Sequence, residues 1–152
     1  MDKFMKLAIE AAKRGIQNGD GGPFGAVIVK DGKVVGKGHN CVVKEHDPTC
    51  HGEMQAIRQA SKNLDTFDLK GCVIYTTGEP CPMCLGAIIW AHIDMIYYGC
   101  NVMDTATIGF ADEEYYKQLY KKDKSEYMKE LDRDECLKLY NDYKEIKKKT
   151  HY

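Results

Sequence analysis

The chain has 152 residues and a formal net charge of −1, and 43% of its residues are hydrophobic while 30% are charged. These proportions predict one soluble globular domain and argue against a basic nucleic-acid-binding protein. No apolar run approaches the roughly 20 residues that a membrane-spanning helix needs, and the charged start does not resemble a signal peptide. The seven cysteines are an odd number, which predicts a reduced, cytoplasmic protein rather than a disulfide framework.

The first forty residues predict a helix followed by a β-hairpin. Apolar residues recur at helical spacing after Asp2, which suits an N-cap, and a later β-branched run ends at the turn pair Asp31-Gly32. The glycine-rich stretch between them lacks the lysine and the spacing of a phosphate-binding loop, so it predicts a plain turn. The predicted elements are a helix to about residue 17, a turn at 18–23 and strands at 26–30 and 33–39.

The rest of the chain alternates helices with strands. Such alternation predicts an α/β fold in which helices cover both faces of a sheet. Open sheets of this class bind ligands where a strand ends and a helix begins. There is no repeat or linker in the sequence, so residues 1–152 are expected to form a single domain. The predicted elements are helices at 51–62, 82–91, 112–119 and 133–149 and strands at 72–76, 95–99 and 127–131.

Two short motifs carry the strongest chemical signal. The first is His51-Gly52-Glu53, and the second is a Pro-Cys-x-x-Cys sequence that contains Cys81 and Cys84. The combined pattern resembles the signature of zinc deaminases that act on nucleobases. It implies a zinc ion bound by His51, Cys81 and Cys84, zinc-bound hydroxide as the attacking group, and Glu53 as the proton shuttle of an aminohydrolase.

The spacing of these residues predicts how they converge. Cys81 and Cys84 are three residues apart and share one face of a helix, and Pro82 suits its first turn. His51 and Glu53 are two apart, so they can converge only at a helix start. A structural zinc site is the alternative, although it has no use for Glu53 and needs a fourth ligand. Candidate fourth ligands are Cys50, Cys72, His92 and Cys100.

Together with the strand-like run from Phe24 to Val29, these motifs resemble the cytidine-deaminase-like superfamily, over residues 1 to about 120. The resemblance implies a three-layer α/β sandwich in which a mixed five-stranded sheet lies between helices. It also implies that Asn40, at the end of the second strand, holds the base by its amide. The alternative for Asn40 is a turn residue.

Three further stretches resemble bacterial guanine deaminases in particular. This resemblance implies hydrolysis of free guanine to xanthine and ammonia, with the Asp112 carboxylate accepting a hydrogen bond from the amino group of the base. The alternative for Asp112 is the N-cap of the helix at 112–119. Phe24 and Trp90 are candidates to flank the base, and each is alternatively a core residue. The three stretches are 21–26, 84–91 and 104–116.

The same resemblance implies a homodimer in which a C-terminal segment, residues 113–152, exchanges between chains and closes the partner's active site. Glu135 matches an acidic residue of that segment, and Tyr152 is a candidate lid residue at the end of the chain. A frayed terminus is the alternative for these last residues.

One residue of the first motif departs from the guanine deaminase pattern, so the identity of the base stays open. Guanine deaminases usually have Ala between the His and the Glu of the first motif, whereas Gly52 is familiar from fungal-type cytosine deaminases. Cytosine is therefore the second candidate substrate. A tRNA adenosine is the third, because residues 102–107 lack the lysine that those enzymes tend to have after the second motif. A non-catalytic, zinc-stabilised interaction domain is the alternative outside the enzymes.

Overall fold

The computed structural model of the protein describes residues 1–122, 124 and 127–151. Two short helices, Val42–Glu45 and Val102–Thr107, are additional to the predicted elements. No helix in the described part of the chain combines the length and apolarity needed to cross a membrane. The elements are α1 Lys3–Asn18, β1 Gly25–Lys30, β2 Lys33–His39, α2 Val42–Glu45, α3 Gly52–Leu64, β3 Cys72–Gly78, α4 Pro82–Trp90, β4 Met95–Cys100, α5 Val102–Thr107, α6 Asp112–Leu119 and α7 Arg133–Glu145.

In the described part of the chain, the strands form one mixed sheet of four strands in the order β2-β1-β3-β4. β1 pairs antiparallel with β2 and β3, whereas β3 and β4 run parallel. The prediction of a fifth strand at 127–131 is wrong, because Tyr127 lies in a turn and the exposed residues from there to Leu131 form no strand. A short segment becomes a strand only where a neighbouring strand pairs with its backbone N–H and C=O groups.

Helices cover both faces of the sheet, which confirms the three-layer arrangement. Successive side chains of a strand point to opposite faces, so Val27 of β1 packs with Ala8 of α1, and Ile28 packs in a core that α3 and α4 complete. Gly38 of β2 lets α3 approach the sheet closely, since a Cβ there would lie 2.4 Å from the carbonyl oxygen of Gly52. This close approach fixes the start of α3.

Local sequence signals set the ends of several elements. The Asp2 side chain accepts hydrogen bonds from the N–H groups of Phe4 and Met5 at 2.8 and 3.0 Å, as predicted for an N-cap. Asp31 and Gly32 have φ values of 49° and 73°, the left-handed pair that a tight hairpin turn requires. The terminal helix α7 is shorter than predicted, since it ends at Glu145.

Candidate active site

Two helix starts bring the motif residues together. His51 is the N-cap of α3 and Cys81 is the N-cap of α4, and both have extended backbone dihedral angles. Pro82 occupies the first turn of α4, as predicted. The two-residue spacing of His51 and Glu53 therefore falls at a helix start, where both side chains can face the same site.

Three donor atoms lie at the spacing of a tetrahedral metal site. The Sγ atoms of Cys81 and Cys84 are each 3.5 Å from Nδ1 of His51, and the three atoms all lie within 4.8 Å of one another. Zinc–sulfur bonds of about 2.3 Å and zinc–nitrogen bonds of about 2.0–2.1 Å at tetrahedral angles separate sulfur from nitrogen by about 3.5 Å. The donor set and its spacing therefore fit a zinc ion.

The described residues add no fourth protein ligand to this cluster. The side chains that were candidates for that position have other surroundings. Cys50 is hydrogen-bonded to Asp47, and His92 is paired with Asp68. Cys72 lies in the hydrophobic core, and Cys100 is exposed. A cluster of three protein ligands is the arrangement of catalytic zinc sites, which keep the fourth position for water or substrate.

Hydrogen bonds within the cluster favour one thiolate. The hydrogen bond from Cys84 lowers the pKa of Cys81 to about 4. The same hydrogen bond, together with burial, raises the pKa of the Cys84 thiol, and the bond to Cys81 raises the pKa of His51. Because a metal binds thiolates and neutral imidazole, binding must release the protons that these groups still hold.

Glu53 is buried beside the cluster, with 5% of its surface exposed. Its Oε1 atom accepts a hydrogen bond from the Thr76 hydroxyl, 3.2 Å away on β3. Burial raises the pKa of this carboxyl above its ordinary value, which suits a group that takes up and returns a proton. Neither sequence motif points to Thr76, since this contact between distant parts of the chain exists only in the fold.

Asn40 is buried directly after β2. Its N–H donates to the carbonyl oxygen of Phe24 at 2.9 Å, and its Oδ1 accepts a hydrogen bond from the N–H of Val42 at 3.1 Å. The second bond is that of a turn residue, the alternative that its position suggested. This bond orients the amide with Oδ1 towards Val42, and we expect Asn40 to offer its Nδ2 donor to a ligand.

Phe24 packs edge-to-face against Phe110, with ring centroids 5.0 Å apart and ring planes at 83°. No role was expected for Phe110 from the sequence. Asp112 lies two residues further on, in the first turn of α6, and the N-cap of that helix is Ala111. Burial and the nearby Cys81 raise the pKa of the Asp112 carboxyl. Asp112 therefore does not cap α6, and its carboxyl lies within electrostatic reach of the metal cluster.

Tyr116 anchors α6 to the loop that precedes the second metal motif. Its hydroxyl donates to the carbonyl oxygen of Pro80 at 2.6 Å. Burial raises the pKa of Tyr116 to about 12, so this donor keeps its proton at neutral pH. Through this bond, Asp112 and Cys81 are held in a fixed relation although they come from separate helices.

Two of the predicted residues, Trp90 and Glu135, lie away from the metal cluster in a single chain. Trp90 is the last residue of α4 and 66% exposed, and about 13 Å of helix separates it from Cys81. Glu135 is exposed on α7, where it accepts a hydrogen bond from Nζ of Lys138 at 2.6 Å. Tyr152 lies outside the described residues.

A second group of potential metal ligands contains Asp20, His39 and Cys41. Oδ2 of Asp20 and Nε2 of His39 are 2.7 Å apart, whereas oxygen and nitrogen ligands of one tetrahedral zinc would be about 3.4 Å apart. The Cys41 thiol donates to the carbonyl oxygen of His39. These side chains thus bond to one another and to the backbone, and they do not have the spacing of a metal site.

The chain is similar to named proteins over most of its length. The family profile described as the cytidine and deoxycytidylate deaminase zinc-binding region matches residues 1–100. A guanine deaminase of Bacillus subtilis (strain 168) is 48% identical over 120 residues, which cover 79% of this chain and 77% of that protein. A tRNA-specific adenosine deaminase of Aquifex aeolicus (strain VF5) is 37% identical over 126 residues, with coverage of 74% and 83%. The X-ray structure of guanine deaminase from Bacillus subtilis matches with a TM-score of 0.93 and 40% identity, over 100% of this chain and 99% of that chain.

Proposed function

This chain belongs to the cytidine and deoxycytidylate deaminase family, whose shared region binds zinc, and on this premise we propose that it is a zinc-dependent guanine deaminase. The reaction is the hydrolysis of guanine to xanthine and ammonia. One observation carries the proposal: His51, Cys81 and Cys84 lie at zinc-binding spacing beside the buried carboxyl of Glu53. The similarity to a guanine deaminase over almost the whole length of both chains supports the choice of base.

The residues of this chain divide the chemistry between them. A zinc ion held by His51, Cys81 and Cys84 would lower the pKa of water at its open position to about 7. Glu53 takes one proton of the attacking water and delivers it to a ring nitrogen. It then takes the proton of the added hydroxyl group and passes it to the departing amino group. The hydrogen bond from Thr76 limits the rotation of the Glu53 carboxyl, so that this carboxyl is oriented before substrate binds.

Four side chains provide the chemistry to recognise guanine. The Nδ2 donor of Asn40 suits a hydrogen-bond acceptor on the base, and the carboxylate of Asp112 suits its amino group. The edge-to-face pair of Phe24 and Phe110 offers an aromatic surface for a flat ring. Cytosine remains the second candidate and a tRNA adenosine the third. The Aquifex aeolicus relative favours the tRNA candidate, and the net charge of −1 disfavours it.

A substrate panel tests the proposed function. Ammonia release by zinc-loaded protein should be measured with guanine, cytosine, adenine, ammeline and a tRNA anticodon stem-loop under the same conditions. We expect the highest kcat/KM with guanine. A higher value with cytosine or with the stem-loop would replace guanine as the substrate, and no release from any of the five would refute the proposal.

Asp112→Asn is expected to lower kcat/KM for guanine by about 10- to 100-fold, because it weakens a hydrogen bond to a charged group. The melting temperature should change little, since Asp112 does not cap α6. Glu114→Gln is the matched control, because it removes one exposed negative charge from the same first turn. Unchanged guanine kinetics in Asp112→Asn would remove the proposed contact and shift the assignment towards cytosine.

We further propose that the single domain, residues 1–152, works as a homodimer whose C-terminal segment 113–152 completes the partner's site, with Glu135 and Tyr152 among the residues involved. Helix α7 has no buried residue and exposes Leu139 and Tyr140. Met95, Tyr97 and Tyr98 on the edge strand β4 are also about half exposed. Apolar surfaces of this extent favour a covering partner, and exchange of a terminal element is a low-cost way to form a dimer.

Deletion of residues 147–152 is expected to lower turnover while zinc content stays at that of the full chain. Closure by the tail excludes water and strengthens electrostatic interactions in the site. Mixing the deletion variant with full-length Glu53→Gln should restore part of the activity, because a mixed dimer combines an intact Glu53 with an intact tail from the other chain. A fully active monomer, or a deletion without kinetic effect, would contradict the exchanged tail.

We propose that the protein acts in the cytoplasm on a free nucleobase. The cysteines at all seven positions are free, which supports a reducing compartment such as the cytoplasm. A free nucleobase is the proposed ligand, since the slightly acidic chain has no overall charge that would favour a nucleic acid.

A further inference from the structure

Asp20 and His39 form a hydrogen-bonded pair next to Asn40, the residue proposed to hold the base. Asp20, in the loop between α1 and β1, is buried, and its Oδ2 is 2.7 Å from Nε2 of His39 at the end of β2. The hydrogen bond from His39 lowers the pKa of the Asp20 carboxyl, so Asp20 is an ionised acceptor at neutral pH. Since a carboxylate only accepts, the donated hydrogen sits on Nε2 of His39. His39 is the residue directly before Asn40.

The backbone of Asp20 also holds the helix that contacts Asn40. Its carbonyl oxygen accepts hydrogen bonds from the N–H groups of Val43 and Lys44, both at 3.0 Å. The N–H of Val42, the first residue of α2, donates to Oδ1 of Asn40. The first N–H groups of a helix have no partner inside it. In α2, the first of them is hydrogen-bonded to the Asn40 side chain and the next two to the carbonyl oxygen of Asp20.

Two glycines show how tightly this region is packed. A Cβ on Gly21, the residue after Asp20, would lie only 2.1 Å from Oδ1 of Asn40. A Cβ on Gly15 of α1 would lie 2.5 Å from Cδ2 of the His39 ring. The backbone next to Asp20 therefore touches the amide of Asn40, and α1 touches the ring of His39 from the other side.

We propose that Asp20 and His39 are positioning residues that orient the amide of Asn40, so that its Nδ2 donor faces the base. The inference rests on the proposed function, because Asn40 must contact the substrate for its orientation to matter. The pair acts on Asn40 from two directions. His39 precedes Asn40 in the chain, while Asp20 bonds to α2 and precedes Gly21, and both α2 and Gly21 lie against the Asn40 amide. Both residues lie outside the group formed by His51, Cys81 and Cys84, and we assign neither of them a contact with the reacting atoms.

Asp20→Ala and His39→Ala are each expected to raise KM for guanine about 3- to 10-fold, the effect of weakening one neutral hydrogen bond to the base. The value of kcat should change less, and zinc content should not change, because the metal cluster is separate. Asp20→Asn should recover most of the loss, since its amide oxygen still accepts from Nε2 of His39. The measurements are steady-state kinetics, elemental analysis and thermal melting.

Gly15→Ala tests the same idea without altering Asp20, His39 or Asn40. The added methyl group must displace the His39 ring from Asp20, whereas Ala is otherwise the better residue inside a helix. We expect KM to rise as in His39→Ala while the melting temperature is maintained. This variant keeps the inference testable if Asp20→Ala does not fold. An unchanged KM in a folded Gly15→Ala protein would overturn the inference.

A double-mutant cycle with Asn40→Ala separates the possible failures. If the pair acts through Asn40, Asp20→Ala should raise KM no further in the Asn40→Ala background. Fully additive effects would overturn the inference. If Asn40→Ala raises KM but neither Asp20→Ala nor Gly15→Ala does, the inference fails and the base contact stands. If Asn40→Ala leaves kcat and KM unchanged, the proposed base contact fails and the inference falls with it.

Discussion

Glu53→Gln is expected to lower the turnover of guanine by about 10²–10⁴-fold, the usual contribution of a general acid–base group. The amide can occupy the same buried space beside Thr76, but it cannot take up a proton and return it. Zinc should stay bound, because Glu53 is not one of the three donors of the cluster. The melting temperature should stay the same or rise, since burying a carboxylate is costly and an amide avoids that cost.

The measurements for this variant are kcat, zinc per chain and thermal melting on the same preparation. Glu45→Gln is the control, because it makes the same chemical change at an exposed position of α2 and should have wild-type kinetics. Near wild-type turnover in zinc-bound Glu53→Gln would refute the proton-shuttle role. Loss of zinc together with turnover would instead make Glu53 part of the metal site.

Cys84→Ala is expected to lose both the metal and all activity above background. Wild-type protein should carry about one zinc per chain, since three strong ligands are present at catalytic spacing. Removal of one thiolate leaves two ligands at 3.5 Å, which bind zinc far more weakly. The melting temperature should also fall, because metal binding contributes to the stability of the folded state.

Cys72→Ala provides the matched control for this prediction. Cys72 and Cys84 are both fully buried thiols, but Cys72 belongs to the hydrophobic core and not to the metal cluster. Its replacement should lower the melting temperature through lost packing while zinc content and kcat stay unchanged. Retention of zinc and turnover in Cys84→Ala would remove this residue from the ligand set.

The prediction of the fold succeeded where local signals decide the structure. The cap at Asp2, the turn at Asp31-Gly32 and the proline in the first turn of α4 each specify their own geometry, and the structure has all of them. The fifth strand failed because pairing depends on a neighbour that sequence periodicity does not reveal. The N-cap alternative for Asp112 failed by one residue, since α6 has Ala111 at that position.

The prediction of the site shows the same limit. The sequence could predict that His51, Cys81 and Cys84 converge, because each lies at the start of a helix. Helix starts can be identified from prolines and motifs. Thr76 and Phe110 escaped prediction because they approach the site only through the packing of distant segments.

The fold explains why Gly52 stands where guanine deaminases usually have alanine. A Cβ on Gly52 would lie 3.1 Å from the carbonyl oxygen of Phe24 and 3.3 Å from Cα of Gly25. An alanine here would require the start of β1 to move by a few tenths of an ångström. Gly52 therefore reflects how closely α3 lies against β1, and it does not by itself indicate cytosine as the substrate.

The exposed position of Trp90 makes the protein a convenient optical reporter. It is the only tryptophan in the chain, and it lies at the end of α4 with two-thirds of its surface in water. Indole fluorescence moves to shorter wavelength when water is removed, and small quenchers in solution then reach the ring less easily. Emission recorded over a dilution series therefore reports directly, without any label, whether another chain covers this end of the helix.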